Sequence, residues 1–179
     1  MKIQNIATSI KDIKFLNFFF RQIRQTTPRD VAMLDASIGE NYPYVSPCGK
    51  ELNFIRPAAK PIVFHALVDN ELVYGGSLVQ PLDYSLLRVS RSTGRLYHQL
   101  VSSKSTNKTQ KTVLHDQTSP PNFGLIRSSV AVSLSERIVD SSDDEGHEME
   151  IITPEGRCPL NWLPVDAEPG SWALPFDGD

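Results

Sequence analysis

Cys48 is the first residue in the chain whose type and setting could do chemistry. It sits in Ser46-Pro47-Cys48-Gly49, followed by Lys50. Proline presets φ at the second position of a turn, and glycine tolerates positive φ, so the run predicts a turn. A turn cysteine beside a lysine can be held as a reactive thiolate. A nucleophile also needs a base. His65 or His98 would serve if the fold brings either one close, which spacing does not show. The plainer reading is a small cysteine in a turn. Cys48, His65, His98 and Asp69 are also metal-ligating types. None stands in a C-x-x-C or H-x-x-x-H spacing, so neither a metal nor a cofactor is expected.

The second constellation is basic. Arg56, Arg95 and Arg127 each border a strand-like run, with Lys50 and Asn53 just ahead of Arg56. Guanidinium groups grip carboxylate or phosphate in a bidentate fork, so the set is apt for an anionic ligand. If residues 49–56 are extended, period-2 alternation puts Lys50 on the Arg56 face and Asn53 opposite. The expected ligand-binding residues are therefore Lys50, Arg56 and Arg127, with Arg95 as a fourth. The bland alternative is surface pairing with Glu51, Asp69 or Asp83. Gly75-Gly76 lacks the Lys-Ser/Thr of a phosphate loop, and there is no G-x-S-x-G elbow.

These residues must be positioned by a mixed set of elements. Ile3, Ile6, Ile10, Ile13, Leu16, Phe20 and Ile23 recur every three to four residues, which predicts a helix, strongest over Ile13 to Gln25 with Asp12 as N-cap. Phe15, Phe18 and Phe19 widen its apolar stripe, which implies cover on more than one side. Tyr42 to Leu67 predicts a local antiparallel meander ending in a buried strand over Pro61 to Leu67. Asp69-Asn70 marks a hairpin turn into Leu72-Val73-Tyr74, and Ser90 to His98 reads as a turn running into a strand. Phe123 to Leu134 alternates serine and alanine with valine and leucine, as a strand would. A last hairpin is expected around Pro154-Glu155-Gly156. The resulting fold class is α+β: an N-terminal helix packed on a largely antiparallel sheet, with long polar insertions.

The expected organisation is a single domain over residues 1–163 and an irregular tail over 164–179. Residues 102–122 and 140–148 read as mobile insertions, because they lack apolar side chains to offset the entropy of ordering. Among 179 residues, 40% are hydrophobic and the net charge is −3, which argues against a generally basic nucleic-acid protein. Two cysteines cannot staple a disulfide scaffold, which points to an intracellular, reducing compartment. No run reaches the roughly 20 apolar residues of a membrane span, and no transit peptide is evident.

Four segments taken together carry a resemblance. They are KDIKFLNFFFRQIR (11–24), YPYVSPCGKELNFIR (42–56) with PIVFHAL (61–67), GRLYH (94–98) and FGLIRSSVAVSLS (123–135). In this order they resemble the eukaryotic uncharacterised protein family number 0598, a domain of unknown function, with SPCGKELNFIR the most specific part. The resemblance covers roughly residues 3–163 with gaps. It implies a small mitochondrial protein with no established activity. Relatives usually carry a hairpin ahead of the first helix, so a truncated form is expected. Pro57-Ala58-Ala59-Lys60 stands where they tend to have a cysteine and an acidic residue.

Two function classes follow. One is a non-catalytic binding or accessory module whose Arg-rich face contacts an anionic ligand, RNA or an acidic protein. The other is a cryptic enzyme using Cys48 or an Arg-lined pocket. The first is preferred, because no complete catalytic constellation is readable.

Overall fold

The computed structural model describes residues 11–32, 38, 41–101, 122–140 and 149–168. The two segments read as insertions and the end of the tail lie almost wholly outside these residues. So does the periodic run before Lys11. The described part is mostly sheet with short helices, which agrees with α+β at the level of class. It builds four small sheets rather than one, and two of its ten strand pairings are parallel.

Helix α1 (Ile13–Arg21) starts where expected. The Asp12 carboxylate accepts the N–H groups of Lys14 and Phe15 at 2.9 and 3.2 Å, satisfying two donors that the first turn leaves free. It ends one turn earlier than its periodicity predicts. Arg24–Gln25 instead forms strand β1, paired with Val45 and Tyr44. Arg24 is fixed there by a two-pronged contact to Asp30, at 2.6 and 2.7 Å, on the short helix α2 (Pro28–Val31). The expectation that α1 is covered on several sides fails: Ile13, Phe15 and Phe18 are 54%, 37% and 46% exposed. Only Phe19 and Phe20 reach the core. The Ser46 hydroxyl donates to the Phe19 carbonyl at 2.8 Å.

The turn after Tyr44 comes two residues later than predicted. Strand β2 (Tyr44–Cys48) runs through Pro47 and pairs with β3 (Glu51–Ile55), leaving Gly49-Lys50 as a two-residue loop. Gly49 has φ of +67° and Lys50 has not turned left-handed, the signature of a type II′ hairpin. Pro47 pairs opposite Leu52, one step from the loop, where the antiparallel ladder asks for no donor.

The buried strand predicted over Pro61–Leu67 is divided. β4 (Val63–Phe64) belongs to the five-stranded sheet and β5 (Ala66–Val68) to a meander with β6 (Glu71–Tyr74) and β7 (Leu78–Pro81). The chain changes sheets at His65. Its N–H donates to Val73 at 2.9 Å, while the carbonyl of Phe64 accepts from Arg127 at 3.0 Å. The Asp69-Asn70 turn is present, with both residues at positive φ.

A 3-10 turn (Tyr84–Leu86) leads into β8 (Leu87–Val89), then β9 (Leu96–Gln99) and β10 (Phe123–Ile126). The five-stranded sheet is completed by β14 (Asn161–Trp162), in the order β14-β8-β9-β10-β4. The strand expected over Phe123–Leu134 is corrected here. It stops at Ile126, and Ser128–Ser135 is helix α3. β4 ends at Phe64, opposite Ile126, so beyond Arg127 no ladder partner remains on that side and the backbone satisfies itself locally. A helical turn carries Val130 and Leu134 inward together, and leaves Val132 62% exposed. Strands β11 (Ile138–Asp140), β12 (Met149–Thr153) and β13 (Gly156–Pro159) form the final meander around the Pro154-Glu155 turn.

Period-2 alternation along β9 gives the five-stranded sheet two buried faces. Leu96 joins Phe64, Leu87, Ile126 and the inner side of α3. Tyr97 joins Phe123, Leu163 and Ala167 on the opposite face. Ala167 comes from a second 3-10 turn, Val165–Ala167, which ends beside Glu168.

Candidate ligand cavity and anion cradle

The β8–β9 connection, Ser90-Arg91-Ser92-Thr93-Gly94-Arg95, is the most heavily hydrogen-bonded turn described. Ser90 and Arg95 close it through their backbones at 3.0 Å, and Gly94 donates to the Ser90 carbonyl at 2.9 Å. Gly94 has φ of +66°, where a side chain would be strained. Ser90 is 1% exposed. Its hydroxyl oxygen accepts the Thr93 N–H and hydroxyl at 3.1 and 2.8 Å.

That turn holds a carboxylate. Ser90 and Ser92 donate their hydroxyls to one oxygen of Glu168 at 2.6 and 2.8 Å, and the Arg91 N–H donates to the other at 2.8 Å. Partial burial pulls the Glu168 pKa upward, but the hydroxyl and amide donors outweigh it and leave the carboxyl below its ordinary value. Lys60, 8% exposed, lies within electrostatic reach. Burial lowers its pKa, and the Asp166 and Glu168 carboxylates oppose that effect. The Tyr97 hydroxyl is fully enclosed with no hydrogen-bond partner among the described residues. Burial raises its pKa, the Glu168 charge adds to the rise, and Arg95 and the hydrogen-bonding approach of the Thr93 side chain oppose it, on the side of the sheet that holds the cradle.

The other side of the same turn borders a cavity of about 510 Å³. Its walls are apolar, built from Val89, Ile126, Ala131, Ile138, Met149 and Trp162. Ser90, Arg91, Arg95, Ser128 and Ser135 add the polar groups. The Arg91 guanidinium lies over the Trp162 ring, 4.4 Å from its centroid, a cation–π contact that orients it. A larger groove of about 1010 Å³ runs past Asp83, Tyr84, Arg137, Arg157 and Cys158. Burial pushes the Cys158 thiol pKa up and the Asp83 charge adds to it, against reactive thiolate character.

Of the residues picked out by sequence, Arg95 lines the smaller cavity. Arg127 stands between two of its lining residues, Ile126 and Ser128, as the exposed N-cap of α3. Lys50 is exposed in the type II′ loop, Arg56 is exposed just after β3, and His65 is exposed at the sheet change. Neither cavity is lined by Cys48, Lys50, Arg56, His65 or Arg127. The Cys48 sulfur meets the Ser46 hydroxyl at 3.8 Å. No group of three metal-ligating side chains occurs among the described residues.

His98, considered as a base, is fully buried. Nδ1 meets the Gln80 amide nitrogen at 2.8 Å and the Gln99 carbonyl at 2.7 Å. Nε2 meets the Asp83 N–H and carbonyl, both at 3.0 Å. Either tautomer is satisfied at both ends by the fold itself. Burial lowers its pKa, against the pull of the Gln99 and Asp83 carbonyls.

Ser90, Arg91, Trp162, Lys60 and Glu168 were missed. Ser90 to Thr93 carried a signal, three hydroxyls and a basic residue between two strands, which a plain turn does not need. Glu168 carried none, because its part of the chain reads as an irregular tail.

A family model described as a domain of unknown function, DUF4505, matches residues 1–158. The chain belongs to that family. The match covers both sides of the cradle turn and every lining residue of the cavity except Trp162. Glu168 also lies beyond it. No solved structure matches the chain. No helix among the described residues is long and apolar enough to cross a membrane.

Proposed function

We propose that this domain is a non-catalytic binding module that takes a small organic anion with an apolar body in the cavity beside the β8–β9 turn. The observation that carries the reading is the pairing of chemistries at one concavity: Arg91 and Arg95 at an apolar-walled space of about 510 Å³. Ligand sites are commonly concave, mostly apolar and furnished with a few polar groups, in this size range. A concave apolar wall suits a small amphipathic anion better than RNA or an acidic protein, which would favour an open basic face. The proposal takes Arg95 from the set chosen on sequence grounds and leaves Lys50, Arg56 and Arg127 outside the site.

The test is calorimetric titration with decanoate, decyl phosphate and decanol. Decanoate or decyl phosphate should bind more tightly than decanol. Arg95→Gln should weaken the anions about tenfold, the low end for a hydrogen bond to a charged group because Arg95 is exposed, and leave decanol unchanged. Equal affinity for decanol and the anions, or no effect of Arg95→Gln, would overturn the reading. A mitochondrial location, implied by the resemblance, belongs to the same proposal and is checked by imaging the tagged chain in cells.

A further inference from the structure

The Glu168 carboxylate sits where a ligand would. Three donors from one short turn converge on it: the Ser90 and Ser92 hydroxyls and the Arg91 N–H. Hydroxyls and backbone amides arranged around a single anionic group are the usual furniture of phosphate and carboxylate sites. We propose that the Ser90–Thr93 turn is an oxyanion-binding site for a phosphate group, occupied in the resting chain by Glu168 as an internal stand-in.

Two further features mark a site larger than one capped carboxylate. The Tyr97 hydroxyl is enclosed on this side of the sheet, within reach of the Thr93 side chain. A tetrahedral phosphate brings more acceptor oxygens than a planar carboxylate to meet it. Lys60 is held 8% exposed within electrostatic reach of Glu168 and Asp166. That partly buried cation adds to the attraction the turn offers an anion. Glu168 follows a single 3-10 turn, Val165–Ala167, of which Ala167 is the buried residue. This site lies across the turn from the apolar cavity and does not depend on what the cavity binds.

Inorganic phosphate is the probe, followed by the backbone amide resonances of Arg91 to Gly94 in the full chain. A closed stand-in reduces apparent affinity by the fraction of chain that is open. Glu168→Ala should therefore bind phosphate at the turn at least tenfold more tightly than wild type, and adding Ser90→Ala and Ser92→Ala should abolish the response. Acetate in place of phosphate distinguishes a tetrahedral from a carboxylate preference: phosphate should be the tighter of the two. Should Glu168→Ala not fold, Glu168→Asp, one methylene shorter, replaces it and should show the same direction with a smaller gain. A folded Glu168→Ala or Glu168→Asp chain whose turn amides ignore phosphate would overturn the proposal. So would acetate binding as tightly as phosphate, or equal phosphate affinity in wild type and variant. The decanoate titration is read at the cavity walls, so either site can fail without the other.

Discussion

Gly124→Ala tests the packing that holds the five-stranded sheet together. A Cβ built on Gly124 would lie 2.5 Å from one ring carbon of Phe64 and 3.1 Å from two others. Carbon atoms settle at about 3.5–4.0 Å, so the ring would have to retreat by about 1 Å. It has nowhere to go. Phe64 is fully buried, with Tyr74 edge-on at 5.6 Å and His98 edge-on at 6.0 Å. Forced overpacking of this kind costs about 1–3 kcal/mol, and the rigid setting argues for the upper end. Alanine recovers about 0.5–1 kcal/mol by removing glycine's conformational entropy. The net is a loss of about 2 kcal/mol, or a Tm lower by about 4–8 °C for a chain of this size. Thermal unfolding followed by circular dichroism measures it. Phe64→Leu, which frees the space, should rescue part of the loss, so the double variant should be more stable than the sum of the single changes by about 1 kcal/mol. A Gly124→Ala protein within about 1 °C of wild type would mean that the Phe64 ring has room to retreat.

Two further expectations concern acid. His98 has its pKa lowered by burial, so the unfolded chain binds the extra proton first; stability should be full above about pH 6.5 and fall as pH drops below it. Urea midpoints at pH 7.5 and 5.5 should differ in wild type and differ less in His98→Gln. The Asp30 carboxyl is held well below the carboxylate range, first by its hydrogen bond to Arg24 and, against the cost of burial, by Thr27; its contribution is present above about pH 4 and lost as pH falls further. Asp30→Asn should lower stability at pH 7 by about 2 kcal/mol, with the gap to wild type narrowing steadily from pH 4 to pH 2, as read from paired denaturation curves.

Local signals in the sequence were largely legible. Asp12 begins α1 because a short carboxylate there can reach two free N–H groups. Asp69-Asn70 and Pro154-Glu155 turn where hairpins need them. Gly75-Gly76 follows the end of β6, and the reason for glycine is close approach: a Cβ on Gly76 would meet the Ile13 carbonyl and the Asn17 side chain at 2.9 Å. What failed was whatever tertiary pairing decides. Ser129 to Leu134 alternates like a strand, yet becomes a helix because its neighbouring strand ends at Phe64. His65 divides a continuous apolar run because its backbone serves two sheets. Membership of a family of unknown function was legible in the quoted segments. Of the proposed site, only Arg95 stands among the residues chosen from sequence. Its other parts are joined across distances no spacing reports: Glu168 reaches back to Ser90, and Trp162 meets Arg91 through the parallel pairing of β14 with β8.

On the reading proposed above, the apolar cavity beside the β8–β9 turn is where this domain binds. The most direct measurement is amide and methyl chemical-shift mapping of the full chain titrated with decanoate. Saturable shifts are expected at Val89, Ile126, Ala131, Ile138 and Met149, lost when Ala131→Trp fills the space while the rest of the spectrum is unchanged. Shifts centred instead on Lys50 and Arg56, or spread without saturation over exposed residues such as Ile13, Phe15 and Phe18, would contradict it.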